Sequence, residues 1–114
     1  MAHHFRKQAE LKILSSLNVL FSNTTGFENT AVGKHSLYYN KTGYRNTAVG
    51  SDAMRLTTTG SYNVALGYNA LRTNQTGGSN VALGYLALED CTVSTNVAIG
   101  SNAMKNTTTG ERNV

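Results

Sequence analysis

The feature that most restricts what this chain can fold into is a repeat unit of seventeen residues. The motif Asn-x-Ala-aliphatic-Gly occurs five times, and only the fourth unit is one residue shorter than the others. A unit of this length is too short for paired helices, which need about 33–47 residues, but it suits one coil of a β-solenoid. We therefore predict an all-β protein, a parallel β-solenoid (β-roll) of about five coils stacked along one axis. The motif begins at Asn29, Asn46, Asn63, Asn80 and Asn96.

Residues that occupy the same place in every repeat form what we call a column. Two such columns predict the corners of the coil. Glycine ends each motif, where a tight corner requires a positive φ or room for a close neighbour. The asparagine that opens each motif can cap the turn through its amide and form a ladder along the stack. We expect both columns to be structural. The glycines are Gly33, Gly50, Gly67, Gly84 and Gly100.

Each coil is predicted to hold two short strands. The first is the Asn-x-Ala-aliphatic-Gly segment, and the second includes the following Ala-Leu or Ala-Met pair. Alternation in the first strand puts Val64 and Leu66 on one face and Ala65 on the other. We assign the larger residues to the core. The alanines then form an apolar column on the opposite face, and we predict that this column contacts a second and a third copy of the chain. The alanines predicted to face the trimer are Ala31, Ala48, Ala65, Ala82 and Ala98.

The repeat divides the chain into two parts. Residues 19–114 form the β-roll array, an excerpt of a longer fibre, because residues 19–28 already match the second half of a unit. Residues 1–18 form a leader or tag and a candidate capping helix. Apolar residues at positions 13, 14, 17, 20 and 21 have helical spacing. A helix that covers the first coil and a flexible leader both remain open.

Composition excludes several function classes. The net charge of +4 comes from 10 Lys+Arg against 6 Asp+Glu, and these basic residues do not cluster as nucleic-acid binding requires. The single cysteine, Cys91, excludes an internal disulfide framework and an all-cysteine zinc cage. No segment has the roughly 18–20 consecutive apolar residues of a membrane span, so we predict no membrane insertion by this segment.

No residue pattern predicts catalysis, a metal site or a cofactor. His35 is the only histidine outside the leader, and it has no repeated acidic partner. The segment Glu89-Asp90-Cys91 coincides with the coil that is one residue short, which is either a binding feature or a tolerated deletion. We therefore predict a non-enzymatic protein without cofactors.

Tyrosines are the candidates for contact with a receptor, because tyrosine combines apolar area with a hydroxyl group at low entropic cost. Four of them lie near the irregular second half of the coil: Tyr38, Tyr39, Tyr44 and Tyr62. Asn-x-Thr sequons are either glycan acceptors or a product of a composition rich in Asn and Thr. They begin at Asn23, Asn40, Asn74 and Asn106.

The segments NTAVGSDA, NVALGYNA, NVALGYLA and NVAIGSNA resemble the head repeat of trimeric autotransporter adhesins of the YadA type, a left-handed parallel β-roll. The longer unit with Thr-Thr-Gly is similar to arrays in the tail or surface fibres of phages and large viruses. Over residues 19–114 the resemblance implies a homotrimer, an extracellular place on a cell surface or virion, and a structural or adhesive role. The implied partners are the chain itself and a host receptor or glycan.

This sequence departs from that family in two respects. The adhesin head repeat is usually shorter than the unit found in this chain, and no neck, stalk or membrane anchor is visible. Two other functions stay open: a fibre segment of a tail spike whose enzymatic domain lies elsewhere, and an ice-binding solenoid suggested by stacked threonines. The threonines are adjacent and run into a glycine corner, whereas ice binding requires threonines alternating on a flat strand, so this last alternative ranks lowest.

Overall fold

The computed structural model describes residues 12–13 and 18–114, which form one parallel sheet of six strands in chain order. Alanines pair with alanines along the stack, so successive repeats are in register. The predicted all-β parallel solenoid with one coil per repeat is confirmed, and the described residues contain no helix. The strands are β1 (Lys12–Ile13), β2 (Thr30–Val32), β3 (Thr47–Val49), β4 (Val64–Leu66), β5 (Val81–Leu83) and β6 (Val97–Ile99).

The array extends toward the N-terminus into residues 19–28. The Leu20 backbone N–H donates to the Ser36 carbonyl at 3.2 Å, and the Leu20 side chain is buried. Lys12 and Ile13 pair with β2, so these two residues are strand and not helix. The remainder of the candidate capping helix within residues 1–17 lies outside the described residues.

The second half of each coil, which we call the second arm, is a run of turns and not the predicted strand. In the second arm of one coil, the Ser36 N–H donates to the Gly33 carbonyl at 3.1 Å within the coil, and the Leu37 N–H donates to the Ala53 carbonyl at 3.1 Å in the next. Leu37 has a φ of 47°, and the equivalent Leu71 has 53°. Left-handed backbone costs about 1–2 kcal/mol per residue for a residue with a Cβ. Burial of the leucine side chains and bonds between coils offset this cost.

The alanine column lies inside the single chain, so the prediction that it faces neighbouring chains is wrong. Ala65 is fully buried and packs in the same core as Leu71 of the second arm, whereas Leu66 is 39 % exposed. The reason is the narrow cross-section of the coil. A strand side chain that points inward meets the leucine or methionine of the opposite arm, which leaves room only for a methyl group. The larger aliphatic residues therefore point outward.

The asparagine column forms a hydrogen-bonded ladder along the stack. Asn63 Oδ1 accepts the backbone N–H of Asn80 at 2.9 Å, and Asn63 Nδ2 donates to the Gly77 carbonyl at 3.0 Å. The asparagine therefore ties its own coil to the next and closes the second corner of the coil. The same Oδ1-to-N–H link joins Asn29 to Asn46 at 3.0 Å. All five asparagines are fully buried, which is consistent with their satisfied hydrogen bonds.

The shortened fourth coil keeps this ladder. Asn80 Nδ2 donates to the Val93 carbonyl at 2.8 Å, in place of the glycine carbonyl used in the three preceding coils, and Asn80 Oδ1 still accepts the Asn96 N–H at 2.9 Å. The missing residue is thus absorbed at the corner without loss of register. Of the two readings of this coil, the geometry supports a tolerated deletion.

A second, less regular polar column lies beside the second corner. Asn40 Nδ2 donates to Asn23 Oδ1 at 2.8 Å and to the Gly43 carbonyl at 3.1 Å. The column then changes to Thr57, which bonds the Asn74 carbonyl instead, and the buried Asn40 Oδ1 has no partner. The sequon asparagines Asn23, Asn40 and Asn74 are buried, so glycosylation of the folded chain is feasible only at the exposed Asn106.

We expect the substitution Thr57→Asn to stabilise the fold by about 1–2 kcal/mol, because the new amide can donate to the unpartnered Asn40 Oδ1. Urea unfolding followed by circular dichroism measures the change. Thr58→Asn is the control, since Thr58 lies at the next, more exposed position and should change stability by less than about 0.5 kcal/mol. A loss of stability in Thr57→Asn would show that the column has no room for a continuous amide ladder.

Candidate interaction surface

The outward face of the sheet, which we call the outer sheet face, is an extended surface of the described residues. It consists of the two columns on either side of the buried alanines. Every member is half-buried or exposed and none carries a charge. The members are Thr30, Thr47, Val64, Val81 and Val97 in one column, and Val32, Val49, Leu66, Leu83 and Ile99 in the other.

Two further columns border this face, and we call them its rims. Strand and rim residues alternate along the coil about 6.8 Å apart, and the coils are about 4.8 Å apart, so the bordered face measures about 20 by 24 Å. This area of roughly 500 Å² includes the polar and charged rims, so the uncharged face between them lies within the usual size range of the largest apolar patch of a monomer. The N-terminal rim is Glu28, Arg45, Tyr62, Ser79 and Thr95, and the C-terminal rim is Lys34, Ser51, Tyr68, Tyr85 and Ser101.

The N-terminal rim contains an ordered polar group. Arg45 Nε donates to Glu28 Oε1 at 2.6 Å, and its Nη1 donates to the Tyr62 hydroxyl at 3.2 Å. The hydrogen bond to Glu28 raises the pKa of Arg45, so its charge is retained. On the C-terminal rim, Tyr68 and Tyr85 stack with ring centroids 5.7 Å apart. Charge is confined to the first two coils of this bordered face, whereas aromatic and aliphatic residues occupy the later ones.

The four tyrosines predicted to contact a receptor separate into two clusters. Tyr38 and Tyr39 meet edge to face on the second arm, with centroids 4.7 Å apart, and Phe21 stacks on Tyr38 at 5.2 Å. Arg55 lies over the Tyr38 ring at 5.9 Å. This first cluster is on a different part of the coil from the outer sheet face, and Tyr39 is 39 % exposed.

The other two tyrosines lie at the N-terminal rim. Tyr44 stacks on Phe27 at 4.9 Å and meets Tyr62 edge to face at 5.3 Å. The aromatic partners Phe21 and Phe27 are residues that the sequence reasoning missed. Each stands one repeat before the tyrosine it stacks on, so the repeat register itself carried this signal.

Among the groups with catalytic potential, His35 contacts an acidic residue of the next coil. His35 Nδ1 lies 3.4 Å from Asp52 Oδ1, with Arg55 Nε also near that oxygen at 3.8 Å. Cys91 is buried, and burial raises the pKa of its thiol, which disfavours the reactive thiolate. Within residues 12–13 and 18–114, no group of three or more His, Cys, Asp or Glu is placed to hold a metal ion.

The acidic residues of the short coil form an ion-pair cluster. Lys105 Nζ lies 3.0 Å from Glu89 Oε1 and 3.8 Å from Asp90 Oδ2, and Asn69 Nδ2 donates to Glu89 Oε2 at 2.8 Å. Burial opposes ionisation of Glu89, but the hydrogen bonds from Lys105 and Asn69 outweigh it and lower the pKa of that carboxyl. This contribution to stability is present above the ordinary glutamate pKa and is lost as the pH falls below it. The cluster thus links neighbouring coils.

Threonine hydroxyls at the second corner are partly used within the stack. Thr24 Oγ1 donates to the Lys41 carbonyl at 3.0 Å, and Thr58 Oγ1 to the Gln75 carbonyl at 3.4 Å. One exposed threonine column remains, represented by Thr42 and Thr59. A single column differs from the flat, alternating array that the ice-binding alternative requires.

In the described part of the chain, no helix is both long enough and apolar enough to cross a lipid bilayer. Comparison with models of known protein families, with curated proteins and with solved structures gave no match.

Proposed function

We propose that this chain is a non-enzymatic structural segment of a homotrimeric surface or virion fibre that contributes to attachment to a host or receptor. The outer sheet face carries the proposal. In the single chain, Leu66 on the interior strand β4 is 39 % exposed, and the ten members of the face include no charged residue. An apolar surface of this kind in a regular repeat is best accounted for as a contact between copies.

Three copies suit this face better than two. A stable interface buries about 800 Å² on each partner, which exceeds the roughly 500 Å² that the bordered face offers. Around a threefold axis parallel to the solenoid, each chain contacts two neighbours, so it takes part in two contacts instead of one. The repeat resemblance supports the same number. We therefore place the apolar contact between copies at the aliphatic columns of the outer sheet face, and not at the alanines predicted from the sequence.

The rest of the coil supports a shaft that displays contacts. Hydrogen bonds from backbone and asparagine amides join successive coils, and these bonds make the stack of coils stiff along its axis. Copies held in parallel would repeat any surface group three times at one height, which strengthens weak contacts through multivalency. Tyr38 and Tyr39 lie on the second arm, away from the face, and stay available to a receptor in such an assembly. Tyr62 becomes a contact between copies instead.

The proposal is tested by light scattering on the purified chain in solution. We expect a mass three times that of the single chain, which is 12.2 kDa. Leu83→Lys should weaken association at least about 10-fold, because it buries three ammonium groups in an apolar interface. Leu56→Lys is the matched control, since Leu56 is a half-buried leucine on the second arm and its substitution should leave the mass unchanged. A wild-type chain that is folded and monomeric would contradict the proposal.

A further inference from the structure

We propose that the second arm of the first three coils binds an acidic saccharide, a sugar ring that carries a carboxylate or a sulfate group, through two arginines and a tyrosine. Arg55 and Arg72 are equivalent residues of neighbouring repeats, and Tyr39 belongs to the adjacent column of the repeat before them. We call these three residues the arginine–tyrosine site. The inference rests on the proposed function in one respect, because it specifies the chemistry of the receptor that the second arm contacts.

The two arginines are like charges held close together. The Leu56 N–H donates to the Arg72 carbonyl at 3.0 Å, so the residues after Arg55 stack directly on those of the next coil, about 4.8 Å away. Both arginine side chains are half-buried, which removes part of their hydration. Within the described residues, neither guanidinium group makes a hydrogen bond. Two adjacent cations with unused donors are the chemical requirement for binding an oxyanion.

Asp52 neutralises only part of this charge. Its Oδ1 lies 3.8 Å from Arg55 Nε, which is too long for a hydrogen bond, and 3.4 Å from His35 Nδ1. Both Asp52 Oδ1 and Arg55 Nε are buried atoms without a hydrogen-bond partner. The contact is therefore ionic only, and the terminal nitrogens of Arg55 are left to bind an external anion.

Arg72 has no ion pair within the part of the chain that the structure describes. Glu89 follows it in the column, but both oxygens of this carboxylate have other partners. Glu89 Oε1 lies 3.0 Å from Lys105 Nζ, and Oε2 accepts a hydrogen bond from Asn69 Nδ2 at 2.8 Å. The carboxylate beside Arg72 is thus neutralised by a lysine, and the positive charge of the arginine pair has no equivalent partner.

An aromatic ring lies next to the arginine pair. The Tyr39 N–H donates to the Arg55 carbonyl at 3.2 Å, and Leu56 follows Tyr39 in its column. Tyr38 is engaged by the chain itself, since Phe21 stacks on its ring at 5.2 Å and Arg55 lies over it at 5.9 Å. Tyr39 meets Tyr38 edge to face, which fixes the orientation of the more exposed ring.

An acidic saccharide matches this combination of groups. The C–H face of a sugar ring packs on an aromatic ring, and a carboxylate or sulfate accepts hydrogen bonds from guanidinium groups. Tyr39 and Arg72 are two coils apart, about 10 Å along the axis, a length that two linked sugar rings cover. A shallow contact of this kind is weak in one chain. Three copies at one height in the proposed fibre would strengthen it through multivalency.

Calorimetric titration of the purified chain with three hexasaccharides tests the site. The probes are hyaluronan, which carries carboxylates, a heparin fragment, which also carries sulfates, and chitin, which is neutral. We expect binding of at least one acidic probe and none of chitin. Arg72→Gln should weaken that binding at least about 10-fold, because the anion loses one of its two guanidinium partners. Arg112→Gln is the matched control, since it removes the same charge at an exposed position of the last coil.

Conservative variants separate loss of contact from loss of fold. Arg72→Lys keeps the charge and the aliphatic stem, and it should still weaken binding about 3-fold, because lysine lacks the planar fork of donors. Tyr39→Ala should weaken binding about 5-fold, whereas Tyr39→Phe, which keeps the ring, should stay within about 2-fold of the wild type. Equal effects of the two Tyr39 variants would remove the aromatic ring from the site and overturn the inference.

The remaining outcomes separate this inference from the proposed function. Equal losses in Arg72→Gln and Arg112→Gln would indicate attraction by overall positive charge and would overturn the site. Binding of hexaglutamate as tightly as the acidic sugars would reject a saccharide as the ligand. A trimeric mass without saccharide binding would reject this inference alone. A monomeric chain that binds the acidic probe would reject the proposed fibre and leave the site standing, because all its contacts lie within one chain.

Discussion

Replacing Asn63 with alanine should destabilise the chain by about 2–4 kcal/mol, because the buried Asn80 N–H loses its partner, at about 1–3 kcal/mol, and the hydrogen bond to the Gly77 carbonyl is lost, at about 1 kcal/mol. The Asn80 N–H lies 2.9 Å from Asn63 Oδ1, and the Gly77 carbonyl lies 3.0 Å from Asn63 Nδ2. That carbonyl keeps a second hydrogen bond, from Asn74 Nδ2 at 2.8 Å. Thermal or urea unfolding measures the loss. Asn106→Ala, at an exposed asparagine, should stay within about 0.5 kcal/mol of the wild type.

The substitution Asn63→Asp separates the hydrogen bond that the Asn63 side chain accepts from the one that it donates. The new carboxylate can still accept the Asn80 N–H, but it cannot donate to the Gly77 carbonyl unless it is protonated. Burial raises the pKa of such a carboxyl above its usual value. The loss in free energy of unfolding of the Asn63→Asp variant, relative to the wild type, should therefore shrink as the pH falls through that raised pKa. A deficit independent of pH, or an unperturbed Asn63→Ala variant, would contradict the structural role of the amide ladder.

Gly67→Ala is the second substitution with a large expected effect, about 2–6 kcal/mol, of which backbone strain contributes about 1–3 kcal/mol and a steric clash a similar amount. Gly67 has a φ of 134°, and a Cβ there would lie 2.5 Å from the Gly84 carbonyl oxygen of the next coil. Gly100 has nearly the same φ, 128°, but a Cβ there would meet only Ala103 at 4.0 Å. Gly100→Ala should thus show the strain without the clash.

Comparison of the two glycine variants by thermal unfolding isolates the effect of stacking. We expect Gly67→Ala to melt several degrees below Gly100→Ala. Equal melting temperatures would mean that the coils do not approach each other as closely as the glycine column requires.

The coil and its stacking were predictable from sequence because they depend on spacing. A glycine at Gly67 and an asparagine at Asn63, each recurring once per repeat, leave few alternatives to a column of corners and a column of amides. In the structure these glycines have positive φ, and the asparagines link successive coils. The identity of the surface face was not predictable in the same way. Alternation defines two faces of a strand but does not say which is inside, and the usual preference for large residues in the core fails when the coil is narrow.

The second arm was beyond prediction for a different reason. Leu71 adopts a left-handed conformation that leucine disfavours, so local propensity argues against the structure that forms. Its compensation lies in other coils: the Leu71 N–H donates to the Ala87 carbonyl at 3.0 Å, and the side chain is fully buried. Neither contribution is visible in a single unit. The aromatic pairs were accessible, since Phe21 and Tyr38 share a column once the register is known.

The way the shortened fourth coil closes has a consequence for how such a rod can evolve. Each coil is joined only to the coils directly above and below it, and a corner can lose a residue while the amide link continues. Whole units can then be duplicated or deleted by recombination without redesign of the rest, and each event changes the reach of the rod by about 4.8 Å. Length becomes a property that selection can tune separately from the chemistry displayed along it.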